Sequence, residues 1–216
     1  VVPNGLELPG PGGRGPRPRE LQGLHGPVIG YVGNLSSRID IDLLEGLARA
    51  RPGWQFAFVG SAHLDGSILR LGALPNVHFL GVKPHREARR LMEHFDVALI
   101  PHVDNEMTRA MNPLKAFVYC AAGVPVVSTP IANLGELGDL IAVAHGTEGF
   151  LHAIEEHLRA GRPPTDLDRL RPHAWERRVE QVLDLIDGLA TADPAGGDDP
   201  GGDPAGGPSA ATPVLS

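Results

Sequence analysis

Cysteine is almost absent from this 216-residue chain, with Cys120 standing alone. One thiol excludes an intrachain disulfide framework and makes a reducing compartment the expectation, cytoplasmic by default. Flanked by helix-forming residues and followed by Ala121, Cys120 reads as a small buried hydrophobe rather than a nucleophile. Basic blocks are missing too, and a net charge of −7 argues against a nucleic-acid surface. No segment approaches the roughly 18 apolar residues of a membrane span, so any membrane association would be peripheral. The start lacks a signal-peptide pattern. It opens on Val1 without Met, and the expectation is that a preceding part of the protein is missing.

Several chemistries are excluded by motifs that do not occur. The ten histidines show no H-E-x-x-H or comparable metal-ligand spacing. His94 and His102 are separated by a predicted strand, and His152 and His157 lie five apart on a predicted helix, so scattered histidines are the better account. There is no G-x-S-x-G elbow. The first strand is not followed by G-x-G-x-x-G, and the second ends VGSA without an acid to hold a ribose, which excludes a nicotinamide or flavin cofactor.

What is present is a strand–helix alternation between two Gly/Pro-rich ends. Residues 1–26 read as a hinge or linker, and residues 191–216 as a disordered Gly/Pro/Asp tail too poor in apolar surface to fold. The middle, 27–190, is about 165 residues, one domain of ordinary size. Apolar runs predict strands at 27–32, 55–60, 76–80, 96–101, 124–129 and 140–144. Helical patterns fall at 41–50, 85–95, 112–122, 147–161 and 173–190. No internal repeat is evident. Near-continuous apolar strands alternating with helices predict α/β architecture: a doubly wound, mainly parallel Rossmann-like sheet of about six strands. Ligands of such folds bind beyond the C-terminal strand ends, here the loops 33–39, 60–65, 81–84, 102–112 and 129–135.

Three stretches carry the functional signal. In GYVGNLSSRID (30–40), Gly33 lets backbone approach a ligand and Asn34, Ser36 and Ser37 offer hydrogen bonds; a plain strand-to-helix turn fits equally. In HVDNEMTRAMNP (102–113), Asn105, Glu106, Thr108 and Asn112 could hold a sugar, with Arg109 and Lys115 flanking an anion-favouring helix start; a solvated loop is the alternative. In NPLKAFVYCAAGVPVVSTP (112–130), Asn112 caps, Pro113 suits the first helical position, and Gly123 offers a left-handed stop. A lysine in a first helical turn opposes the helix dipole, so Lys115 either meets an anion or runs along the helix flank. The last helix carries an apolar stripe (Val179, Val182, Leu183, Ile186, Leu189). It either docks on this domain's sheet or is partly uncovered.

The order GYVGNLSSRIDIDLLEGLA, FVG, LPNVHFLGVKPHREARRLMEHFDVALIP and NPLKAFVYCAAGVPVVSTP resembles the C-terminal half of retaining, nucleotide-sugar-dependent GT-B glycosyltransferases. The likeness spans about residues 28–135, with VVPNG (1–5) similar to the hinge and AWERR (174–178) to the terminal helix. It implies a donor-nucleotide-binding domain, a partner Rossmann-like acceptor domain missing from this chain, no cofactor, no metal, and a nucleoside diphosphate sugar as donor for glycan biosynthesis. Gly33, Asn34 and Ser36 would face the diphosphate, and Gly81, Val82, Lys83 and Pro84 would border the base. Thr108, Arg109, Met111, Asn112, Pro113, Leu114 and Lys115 would surround phosphates and sugar.

Arg38, Arg109 and Lys115, with helix N–H groups, would stabilise the leaving diphosphate. Two departures stand out. The family's Arg–Lys pair after the first strand is represented by Asn34 and Arg38, and its Glu-x7-Glu falls on Ala110 and Val118, so the ribose-binding carboxylate is gone. The readings are therefore a hexosyl-transferring glycosyltransferase half inactive alone, a lapsed nucleotide-sugar-binding or scaffold domain, or a nucleotide-sugar 2-epimerase.

Overall fold

The computed structural model describes residues 5–8, 14–62, 66–109, 114–130, 137, 140–162 and 164–191, with backbone alone at 109 and 189–191. The expected tail beyond 191 lies outside the described residues, as do Met111, Asn112 and Pro113.

The elements run α1 (Arg19–Gln22), β1 (Val28–Val32), α2 (Ile41–Ala50), β2 (Gln55–Val59), α3 (Gly66–Gly72), β3 (Val77–Gly81), α4 (His85–Met92) and β4 (Val97–Ile100). They continue with α5 (Glu106–Arg109), α6 (Leu114–Ala121), β5 (Val126–Ser128), β6 (Ile141–Val143), α7 (Gly146–Ala160), α8 (Leu167–Leu170), a 3-10 turn (Arg171–His173) and α9 (Trp175–Thr191). The strands form one six-stranded sheet in the order β3-β2-β1-β4-β5-β6, every pairing parallel. This is the expected Rossmann-like α/β sheet. Strand order reverses between β1 and β4, and a crevice opens at such a switch point beyond the strand ends.

Alternation in β1 feeds two cores. Ile29 and Tyr31 pack with Leu43, Leu44 and Leu47 of α2 and Phe150 and Ile154 of α7. Val28 packs on the opposite face with Leu91 of α4 and Ala116 and Tyr119 of α6. Gly30 is required by contact: a Cβ there would sit 2.0 Å from the Phe95 ring. Asp40 caps α2 by accepting from the Leu43 N–H at 2.9 Å. Asn76, 4% exposed, donates to the carbonyls of Ala48, Arg51 and Trp54, tying the α2–β2 turn to β3. Gly123 takes the left-handed conformation expected of it, φ 63°, and closes α6 with a Val124 N–H bond to the Tyr119 carbonyl at 3.0 Å.

Two differences from the sequence reading have physical causes. The stretch read as a linker contributes Leu6 and Leu21, both buried, to the second core, and α1 forms within it. Isolated leucines among Gly and Pro carry no periodicity, so composition hides them. Second, α3 was not anticipated, because Ile68 and Leu71 are its only buried residues and glycines bound it. Of the two alternatives for the stripe on α9, the structure shows the uncovered one: Val179, Leu183 and Ile186 are each more than half exposed. At its start, Leu6 donates to the His173 carbonyl (2.9 Å) and accepts from Trp175 N–H (3.1 Å), so residues 5–7 lie against the head of α9.

Candidate diphosphate site

The switch-point crevice is built from the ends of β1 and β4 and the first turn of α6. Gly33 leaves β1 at φ 145°, and its N–H donates to the Val59 carbonyl at 2.7 Å. A Cβ on Gly33 would lie 2.6 Å from Lys115 Nζ and 2.9 Å from Tyr31 Oη, so glycine is what lets the lysine reach this corner. Lys115 Nζ donates to Tyr31 Oη at 3.3 Å and stands 5.0 Å from the centre of its ring. The choice left open by the sequence is thereby resolved: Lys115 turns inward to the end of β1, not along the helix flank.

Electrostatics at the corner are unbalanced. Burial, then the charge of Arg38, pushes the Lys115 ammonium below its ordinary range. Among the described residues no carboxylate pairs with either cation. His102, the second residue past β4, is 7% exposed, and burial followed by Lys115 and Arg38 drives its imidazole down to about 4. It is neutral at pH 7. Its backbone N–H donates to Thr129 Oγ1 at 3.1 Å, while Nδ1 is buried without a partner, as is Ser36 Oγ. Cations without a carboxylate partner among the described residues, beside the orphaned His102 Nδ1, are what an anion with hydroxylated neighbours would satisfy.

The histidine has a consequence for stability. Unfolding frees His102 to titrate near 6.5, whereas the native imidazole titrates near 4. The unfolded chain therefore binds more protons between those values, and stability falls as pH drops through that window. From pH 7 to pH 4.5, His102→Gln should lose less stability than the parent by on the order of 2 kcal/mol, read from urea midpoints.

The other expected residues distribute as follows. Asn34 is exposed and accepts from Ser61 Oγ at 2.8 Å, which steadies the loop, and Tyr31 Oη donates to its carbonyl at 3.3 Å. Arg38 is exposed, with its carbonyl fixed by Val103 N–H at 2.9 Å. Gly81 has φ 70° and Val82 is 76% exposed, while Lys83 is held by Glu20 at 2.7 Å. A base at this loop would meet backbone rather than the ammonium.

Asn105 and Thr108 are bonded to each other. Thr108 N–H donates to Asn105 Oδ1 (2.9 Å), Asn105 N–H donates to Thr108 Oγ1 (3.1 Å), and the buried threonine hydroxyl donates to Val103 C=O. Both side chains cap α5, because short polar side chains at a helix start bond locally. Glu106 is exposed at the head of α5, and Leu114 is half-buried at the head of α6. The Arg109 side chain, Met111, Asn112 and Pro113 lie outside the described residues. Sequence reasoning weighed His102 only as a metal ligand; its place at the end of β4 was the signal that marks it as a site residue. No three His, Cys, Asp or Glu come together as a metal-binding group among the described residues.

Residues 26–160 match the family profile described as "Glycosyl transferases group 1". The chain belongs to this family. Over 119 residues it is 33% identical to TuaH of Bacillus subtilis (strain 168), named as a teichuronic acid biosynthesis glycosyltransferase, covering 54% of this chain and 30% of TuaH. Its fold is that of AviGT4, a glycosyltransferase involved in avilamycin A biosynthesis, at TM-score 0.56 and 17% identity, over 86% of this chain and 58% of AviGT4. It is likewise that of Anabaena Alr3699/HepE, solved with UDP-glucose, at TM-score 0.57 and 18% identity over 76% and 49% of the two chains. The chain thus spans under a third of the curated relative and about half of the solved ones. No helix among the described residues is long and apolar enough to cross a membrane.

Proposed function

We propose that this chain is the donor half of a glycosyltransferase. It holds a nucleoside diphosphate sugar while a further Rossmann-like domain presents the acceptor for hexosyl transfer. The observation that carries the reading is Lys115 drawn into the β1 corner, within the field of Arg38 and with no carboxylate partner among the described residues. When the anomeric C–O bond breaks, its electron pair departs on the diphosphate. Fixed cations and N–H groups at that point oppose the developing charge without needing to reorganise. Arg38 and Lys115 are the residues proposed for this role, with Arg109 as a third cation from α5. Gly33, Asn34, Ser36, Gly81, Val82 and Lys83 would bind the donor, with Glu106, Met111, Asn112, Pro113 and Leu114 around its sugar. No cofactor is required, and the cations take the place a metal ion could fill. Cytoplasmic residence fits the single cysteine and a nucleotide-sugar donor.

Val118 favours a second reading, a domain that binds the nucleotide without chemistry. Calorimetric titration of the 216-residue chain with UDP, GDP and UDP-glucose at low salt tests the site itself. Micromolar binding, weakened about tenfold by Arg38→Gln, is the expected result. Absence of binding by every nucleotide would remove the donor-site reading. Joining the acceptor domain and assaying sugar transfer then separates enzyme from binder.

A further inference from the structure

Resting on that donor-site reading, we propose that Tyr31 is a positioning residue for the diphosphate: its hydroxyl holds the Lys115 ammonium in the corner before any ligand arrives. The observation is a relay of two bonds. Lys115 Nζ donates to Tyr31 Oη at 3.3 Å, and Tyr31 Oη donates its own proton to the Asn34 carbonyl at 3.3 Å. One hydroxyl thus joins the cation of α6 to the loop that leaves β1. The ring beneath it is 1% exposed and belongs to the core under α2 and α7, which fixes where the hydroxyl stands.

The hydroxyl decides where the lysine rests. Burial and the charge of Arg38 both oppose an ammonium at this corner. A lysine head is strongly hydrated and its stem turns freely, so an unheld ammonium returns to water. The face of the ring attracts it, but phenylalanine would offer the same face. What tyrosine adds is the acceptor.

The kind of acceptor suits an anion site. A carboxylate in this place would hold the lysine more firmly, yet it would neutralise the cation and repel an arriving diphosphate. Burial pushes the Tyr31 phenol up to about 12, so it stays uncharged at neutral pH and holds the ammonium without neutralising it. An ammonium has three N–H donors, and one on Tyr31 leaves two for phosphate oxygens. The bond therefore survives ligand binding, and the ligand meets a cation already in place. Tyr119 of α6 gives the contrast: it is equally buried, but its hydroxyl accepts from Val32 N–H at 2.9 Å and serves the backbone.

Calorimetry of the 216-residue chain with UDP and with GDP tests the role in four forms: the parent, Tyr31→Phe, Lys115→Met and the double variant. Tyr31→Phe should weaken binding about fivefold in the parent, and less than about twofold once Lys115 is methionine. An equal loss in both backgrounds would make Tyr31 a packing residue and overturn the inference. Unchanged or tighter binding by Tyr31→Phe would overturn it too. Tyr119→Phe is the control, and its effect should not depend on Lys115; the same dependence there would overturn the inference as a general effect of losing a phenol.

Lys83 and Lys115 are the two lysines of the chain, so NMR of isotope-labelled lysine gives two ε-methylene signals, assigned by Lys115→Met. The Tyr31 ring should displace the Lys115 signal in the parent, and Tyr31→Phe should release it to the position of a solvated lysine. A Lys115 signal already at that position in the parent would overturn the inference without any variant, should the phenylalanine chain fail to fold. Binding of neither nucleotide by the parent would remove the donor-site reading and the inference with it, whereas a missing dependence on Lys115 removes the inference alone.

Discussion

Lys115→Met is expected to weaken nucleoside diphosphate binding by about 30-fold while leaving the fold as stable as before, or more so. The two halves of that result have one cause. An ammonium brought to the end of β1 forfeits water and faces Arg38, and its return in the free protein is a 3.3 Å bond to Tyr31 and the face of that ring. The ring contact is worth about 0.5–1 kcal/mol, too little to offset both penalties. Methionine keeps the unbranched stem and its packing while removing the charge, so the urea midpoint should hold or rise. With a diphosphate bound, the same ammonium becomes a charge-assisted donor, and its loss is felt in full. Paired calorimetry and urea unfolding on one preparation check both halves. A variant that unfolds more easily yet binds UDP normally would make Lys115 a packing residue and nothing more.

Gly60→Ala is expected to destabilise the domain by about 3 kcal/mol or more, and to impair nucleotide binding beyond what unfolding explains. Gly60 leaves β2 at φ 138°, where L side chains are strained. Its added Cβ would stand 2.1 Å from the Gly33 carbonyl oxygen and 2.6 Å from the carbonyl carbon. Backbone cannot swing aside as a flexible side chain can. The residue also donates its N–H to the Gly81 carbonyl at 2.9 Å, so one methyl group disturbs three strand ends together. Gly53→Ala is the matching control, since nothing lies within 4 Å of its added Cβ. That variant should stay within about 0.5 kcal/mol of the parent. Equal stabilities for the two variants would mean that the β1 and β2 loops yield freely and do not preorganise the corner.

Much of this was legible in the chain because it is encoded locally. Strands such as VIGYV and QFAFV are unbroken apolar runs, as a sheet covered on both faces demands, and Gly123 followed by Pro125 stops α6 where expected. The family resemblance rested on the same stretches, and the profile match over 26–160 agrees with it. At the candidate site, the placement of Gly33 at a strand end and of Lys115 at a helix start could be read from the sequence. The Lys115–Tyr31 bond that fixes the corner could not, since it joins residues 84 positions apart. The mutual capping of Asn105 and Thr108 was readable in principle, three residues apart at a helical turn, but was not drawn from the sequence. His102 was missed as a site residue because its neutrality comes from burial and from two cations that arrive from other elements. Apolar anchors such as Leu6 and Leu21 escape pattern analysis for a related reason: each is buried by partners distant in the chain.

The central position of β1 has a bearing on how the chain is made. It precedes the other five strands of the sheet, yet one of its edges waits for β4, and the Val28 N–H bonds to Asp96 across 68 positions. At ordinary elongation rates the ribosome takes about 3 to 14 s to supply that partner. Through that interval a nascent hairpin-less ribbon of valine, isoleucine and tyrosine stands open to any passing strand. That edge is closed only once residue 100 has cleared the exit tunnel and β4 can pair with it.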